Sequence, residues 1–156
     1  VGSEMCIRDR MNPTTCPLCV FHHPQEIWRD SLVYVIDASN KDLPGYIRVI
    51  LMRHVKEMTD LSDSERHHVM RVVFCIESAM RCVMHPEKVN LAEFGTLVPH
   101  VHWHIIARFR DDAYFPESTW SQKVRQTPES VLAARRLDAK ALVQQLPQIL
   151  SKEFGD

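Results

Sequence analysis

The sequence predicts an α+β fold: one antiparallel sheet of about five strands, one long helix and a second helix at the C-terminus. Three observations carry this. Short β-rich runs are separated by turn residues, a long amphipathic stretch opens on a helix-start signature, and the strands are joined by connections too short for parallel crossovers. The element order is strands, helix, strands, helix.

Leu32-Val33-Tyr34-Val35-Ile36 is the first β-rich run, closed by Asp37-Ala38-Ser39-Asn40. Pro44-Gly45 marks a turn, and Tyr46 to Met52 forms a second run, so the two make a hairpin with an extended loop. Ser62 followed by Glu65 is a capping box, which opens a helix. Val69, Val72, Val73, Ile76, Met80 and Val83 then recur at helical spacing, and His85-Pro86 ends the element. Lys88 to Glu93 and Val98 to Phe109 read as two further strands around a turn at Gly95. Tyr114 to Thr127 is irregular. A last helix starts near Glu129 with Leu142, Leu146 and Ile149 on one face, and Pro147 is expected to kink or divide it.

The bulk properties exclude more than they assign. A chain of 156 residues with net charge −1 gives no reason to expect a nucleic-acid polymer or a membrane surface as partner. The longest apolar stretches are too short for a bilayer. Five cysteines in a chain of this size do not suggest a disulfide framework, and a reducing, cytoplasmic compartment is expected. Val1 to Arg10 resembles a translated cloning leader ahead of Met11, and is expected to be disordered and non-native. Residues 11–156 are then one domain.

Chemistry concentrates in Pro99-His100-Val101-His102-Trp103-His104-Ile105-Ile106. The spacers are β-branched or aromatic, which favours an extended chain. On a strand the three imidazoles share one face, about 6.6 Å apart along the axis, with Val101, Trp103 and Ile105 turned to the core. Three readings fit such a ridge. The histidines are a solvated surface face, or they ligate zinc with an open water position, or a neutral imidazole attacks phosphorus while its neighbours polarise the substrate.

The run His100-Val101-His102-Trp103-His104-Ile105-Ile106 resembles the signature of the histidine triad (HIT) family: His, apolar, His, apolar, His, apolar, apolar. Asn90 to Gly95 supplies the strand and turn that precede it, and Pro44 to Ile50 with His54 to Leu61 is similar to the family's early hairpin and helix entry. Within the family the chain is most similar to bacterial diadenosine tetraphosphate hydrolase-like proteins. The resemblance implies a HIT-like domain that hydrolyses a dinucleoside polyphosphate or nucleoside phosphoramidate at the α-phosphorus. His102 would be the nucleophile, His104 would aid the leaving group, and His100 would orient the site. Asn90, Gly95, Thr96 and Asp37 would contact the nucleotide, although Asn90 equally reads as a strand-end turn former and Asp37 reads more readily as a turn-initiating residue. Related transferases carry glutamine where this chain has His104, which favours hydrolysis. Family hydrolases often carry Gly-Gln and a small residue before the triad, whereas this chain has Gly95-Thr96-Leu97, so a nucleotide-binding module with weak catalysis stays open beside a histidine-ligated zinc hydrolase.

Cys16-Pro17-Leu18-Cys19 is half of a zinc site or a redox pair. The resemblance implies a structural zinc on Cys16, Cys19, His54 and His100. His22 and His23 are rivals by proximity, and free thiols on an N-terminal segment are the other reading. No cofactor is required for the chemistry. The resemblance also implies a homodimer. Arg108 falls on the histidine parity, where it could meet distal phosphates or be a solvated strand-end charge. Trp120 would lie near a partner subunit's site or anchor local packing. Cys75 and Cys82 read as core or half-buried thiols on the long helix.

Overall fold

Alternating apolar residues build the sheet. The computed structural model describes residues 15–155, so the expectation for Val1 to Arg10 lies outside the described residues. The strands are β1 (Glu26–Arg29), β2 (Val33–Asp37), β3 (Tyr46–Leu51), β4 (Lys88–Glu93) and β5 (His102–Arg108). Helix α1 spans Asp63–Met84 and α2 spans Glu129–Phe154. The sheet order is β1-β2-β3-β5-β4, and every neighbouring pair is antiparallel. The expected α+β fold is therefore present.

Register sorts side chains onto two faces. Val33, Val35, Ile47, Val49, Leu51, Val89, Ile105 and Ala107 pack with Val69, Val72, Val73, Ile76 and Met80 of α1 and Leu142, Leu146 and Leu150 of α2 in one core. Fully burying each large aliphatic residue contributes about 1.5–3 kcal/mol. Among the described residues no helix contributes to the clusters on the opposite face. It carries two small apolar clusters, Cys16, Leu18, Tyr34, Ile36 and Ile50 in one, and Leu43, Tyr46 and Ile106 in the other. The chain's candidate chemistry lies on this second face.

The start of α1 follows the sequence. The Ser62 hydroxyl accepts the Glu65 N–H, and the Glu65 carboxylate accepts the Ser62 N–H. His85 closes the helix in the left-handed region at φ 51°, ahead of Pro86.

Four expectations need correction. β1 was not read from the sequence: Glu26-Ile27-Trp28-Arg29 is short and has no clean alternation. β5 begins at His102, not at Val98. Pro99 has no N–H to give a ladder, and the backbone there bonds locally and across instead: His100 N–H to Val98 O at 2.8 Å, and Val101 N–H to Val55 O at 2.7 Å. Pro147 does not divide helix α2, which runs from Glu129 to Phe154, because Leu142, Leu146 and Leu150 are all fully buried on either side of it and hold both halves to one face. Cys82 is exposed rather than packed, while Cys75 is half-buried.

The β3 hairpin needs glycine at one place. Gly45 sits at φ +86°, and a Cβ there would lie 2.5 Å from Met84 Sδ and 3.2 Å from Ala107 Cβ. Its carbonyl accepts the Ala107 N–H at 2.9 Å. The turn is thus fitted against both β5 and the end of α1.

Candidate functional site

Antiparallel pairing of β3 with β5 sets Ile50 opposite His102, Arg48 opposite His104 and Tyr46 opposite Ile106. Directly paired residues hold their Cβ atoms about 5 Å apart. Tyr46 and Arg48 therefore join His102 and His104 on one face.

His102 is 9 % exposed. Its Nδ1 lies 2.6 Å from the His100 carbonyl oxygen. A carbonyl only accepts, so Nδ1 carries the proton and Nε2 keeps its lone pair. Burial holds the ring's pKa below the usual histidine range, and the Arg48 charge adds to that. The neutral form with a free Nε2 is the nucleophilic form.

His104 is 4 % exposed. Burial, then the neighbouring His102 and Arg48, lowers its pKa to about 3. Its Nδ1 lies 2.6 Å from the Tyr46 hydroxyl, and Arg48 donates to that hydroxyl at 3.5 Å. With the oxygen accepting from Arg48, its proton goes to His104 Nδ1, which leaves Nε2–H as a donor. The two histidine rings meet edge-on at 4.9 Å between centroids. One ring thus presents a lone pair and its neighbour an N–H.

His100 is fully buried and belongs to a different cluster. Its Nε2 lies 2.7 Å from the Leu51 carbonyl, so Nε2 donates and Nδ1 is an acceptor. That Nδ1 stands 3.5 Å from Cys16 Sγ, 3.4 Å from Cys19 Sγ and 3.3 Å from His54 Nδ1. Cys19 Sγ is 3.2 Å from His54 Nδ1. All four ligand atoms fall within 4.8 Å of one another. Zinc bonds of about 2.3 Å to sulfur and 2.0–2.1 Å to nitrogen, set tetrahedrally, put ligands about 3.3–3.8 Å apart. The donor set, its spacing and the carbonyl behind His100 fit such an ion. Burial first, then Cys16, raises the Cys19 thiol pKa to about 11. A divalent cation would reverse that by binding the thiolate.

The other anticipated residues divide. His22 and His23 stay out of the cluster: His23 Nδ1 accepts the Gln25 N–H, and His22 lies against Arg29. Asn90 shares the histidine face through its pairing with Ile106, but its Oδ1 accepts from Arg108 at 2.7 Å. Asp37 Oδ1 accepts the Ser39 N–H at 3.0 Å, the turn-forming contact. Gly95 turns at φ +65°, while Thr96 is exposed and Leu97 is 94 % exposed. Arg108 is neither solvated nor open to a ligand. It is buried and paired with Asp112 at 2.8 Å and with the Glu117 carbonyl at 2.7 Å. Trp120 stacks edge-on with His104 of its own chain at 5.0 Å and with Phe94 at 4.6 Å. Tyr46 and Arg48 were missed. The available signal was their shared parity on the second β-rich run.

Fold and site together define a class: a five-stranded antiparallel sheet that presents paired neutral histidines on its open face. The HIT domain model matches residues 23–111, and the chain belongs to that family. An AP-4-A phosphorylase of Mycobacterium tuberculosis (strain CDC 1551 / Oshkosh) is 29 % identical over 115 residues, covering 70 % of this chain and 58 % of its own. The chain thus spans somewhat under two thirds of that curated relative. A histidine triad protein of Marinobacter aquaeolei VT8 has TM-score 0.62 at 19 % identity, covering 81 % of this chain and 97 % of its own. A Zn-bound histidine triad family protein of Mycobacterium smegmatis has TM-score 0.61 at 19 % identity, covering 90 % and 99 %. Among the described residues no helix is long and apolar enough to cross a membrane.

Proposed function

We propose that the protein is a nucleotide hydrolase that cleaves a dinucleoside polyphosphate or nucleoside phosphoramidate at the α-phosphorus through a covalent nucleotidyl-histidine. The supporting observation is the complementary state of two adjacent rings: His102 with a free Nε2 and His104 with a free Nε2–H. His102 Nε2 attacks phosphorus, forming a P–N bond as the bond to the leaving group breaks. His104 passes its Nε2 proton to that group while its Nδ1 takes the Tyr46 hydroxyl proton, so the ring stays neutral and the phenolate oxygen lies beside Arg48. Water then attacks the adduct, His104 takes the proton back, and the P–N bond breaks to restore His102. The named activity of the mycobacterial relative suggests orthophosphate as a second acceptor. The histidine at position 104 favours water, and assays with and without orthophosphate separate the two.

Gly95 and Thr96 lie in the connection between β4 and β5, and we assign them with Asn90 and Asp37 to the nucleotide-binding margin. Cys16, Cys19, His54 and His100 would hold zinc in a structural role, since four protein ligands leave no open position. His100 then orients the site from that cluster. We further infer that residues 11–156 form one domain, which works as a cytoplasmic homodimer.

The deciding experiment is intact-mass spectrometry with an adenosine phosphoramidate, quenched in alkaline denaturant because a P–N bond to imidazole is labile in acid. A transient mass increase of one adenylyl group, absent in His102→Asn, is expected. Turnover at the wild-type rate in His102→Asn would exclude covalent catalysis at this residue.

A further inference from the structure

Among the described residues Arg48 has no carboxylate partner. Arg29, Arg53, Arg108 and Arg135 each pair with an acid. Among the described residues no ion pair includes Arg48, and its buried Nε has no hydrogen-bond partner. Its polar contact is the 3.5 Å approach to the Tyr46 hydroxyl, and its Cζ lies 5.2 Å from the Tyr46 ring centroid. It stands directly opposite His104 on the histidine face, with Ile36 on its other flank. Holding a half-buried guanidinium beside two imidazoles without a counter-charge costs stability. Such a cost is typical where a site waits for an anion.

We propose that Arg48 is the anion-binding residue of the site and directly contacts a non-bridging oxygen of the substrate phosphate. This rests on the nucleotide reading above. The guanidinium suits that ligand because its planar donors match phosphate oxygens. It also supplies what the side chains before β5 lack: Leu97 has no polar side-chain atom, and Thr96 is exposed. The α-phosphoryl group would lie between the Arg48 donors and His102 Nε2, its charge neutralised as the P–N bond forms.

The test is calorimetric binding of AMP and adenosine to wild type, Arg48→Gln, Arg48→Lys and Tyr46→Phe, each checked for fold by circular dichroism. Wild type is expected to prefer AMP by tenfold or more. Arg48→Gln is expected to erase that preference with adenosine affinity unchanged, Arg48→Lys to keep part of it, and Tyr46→Phe to keep it. Preference retained in Arg48→Gln overturns the proposal and leaves the nucleotide reading standing. Equal loss in Tyr46→Phe also overturns it, because Arg48 would then act only through the hydroxyl. If wild type binds neither AMP nor adenosine, the nucleotide reading fails, and inorganic pyrophosphate decides for Arg48. Pyrophosphate binding that disappears in Arg48→Gln upholds the anion site, and no binding by wild type overturns it.

Discussion

Two histidines two residues apart differ because different oxygens face their Nδ1 atoms. A carbonyl behind His102 leaves its outer nitrogen bare, while a hydroxyl behind His104 leaves its outer nitrogen protonated. Burial keeps both rings neutral at physiological pH, which fixes a sign for stability. Between the ordinary 6.5 and about 3, His104 binds a proton in the unfolded chain and not in the folded one. Stability is therefore complete above the upper limit and lost as pH falls through that window, by up to about 1.4 kcal/mol per pH unit for this ring. Urea titrations at pH 7, 6 and 5 should show the loss, and His104→Asn should lessen it, with His100 and His102 keeping the remainder. The motif's spacing made the triad legible. Tyr46 and Arg48 were not legible, because their relation to His104 is a cross-strand register more than fifty positions away, which local periodicity does not carry.

At the level of elements, α1 and the β2–β3 hairpin followed from capping, turn residues and alternation, which are local signals. The failures were at places where tertiary contacts decide. Pro147 is tolerated because the core grips α2 on both sides, and Pro99 delays the start of β5 by removing a donor. Arg108 looked like a strand-end charge. In the fold it instead anchors the irregular segment after β5, since Asp112 receives Arg108 and the backbone N–H groups of Phe109, Tyr114 and Phe115. Burial pushes the Asp112 carboxyl up, but Arg108 and these donors outweigh it and hold it below the usual range. Removing one partner of a buried pair leaves a naked charge, so Asp112→Ala is expected to cost about 3–5 kcal/mol in chemical denaturation. Gly45→Ala is expected to cost about 1–2 kcal/mol for the left-handed backbone alone.

Across the whole molecule, one face of the sheet packs against both helices and the other carries the histidines and thiols. The N-terminal cysteines reach that second face and tie it to residues far along the chain. Purified protein is expected to carry about one zinc per chain by elemental mass spectrometry, and chelation should lower the melting temperature. A metal content well below one would remove the structural ion from this account. Light scattering should give twice the chain mass if the homodimer assignment holds.

His100 is shared between the two clusters. Its ring serves the thiol cluster, and its carbonyl oxygen sets the tautomer of His102. Alanine scanning of the motif would score all three positions as essential, yet for different reasons. At pH 7 or above, His102 and His104 variants should lose rate at an unchanged melting point. A His100 variant should lose both together, and zinc supplementation should not restore them. Kinetics on this scaffold are therefore interpretable only when each rate is paired with a melting curve, and three evenly spaced histidines are not evidence of three chemical participants.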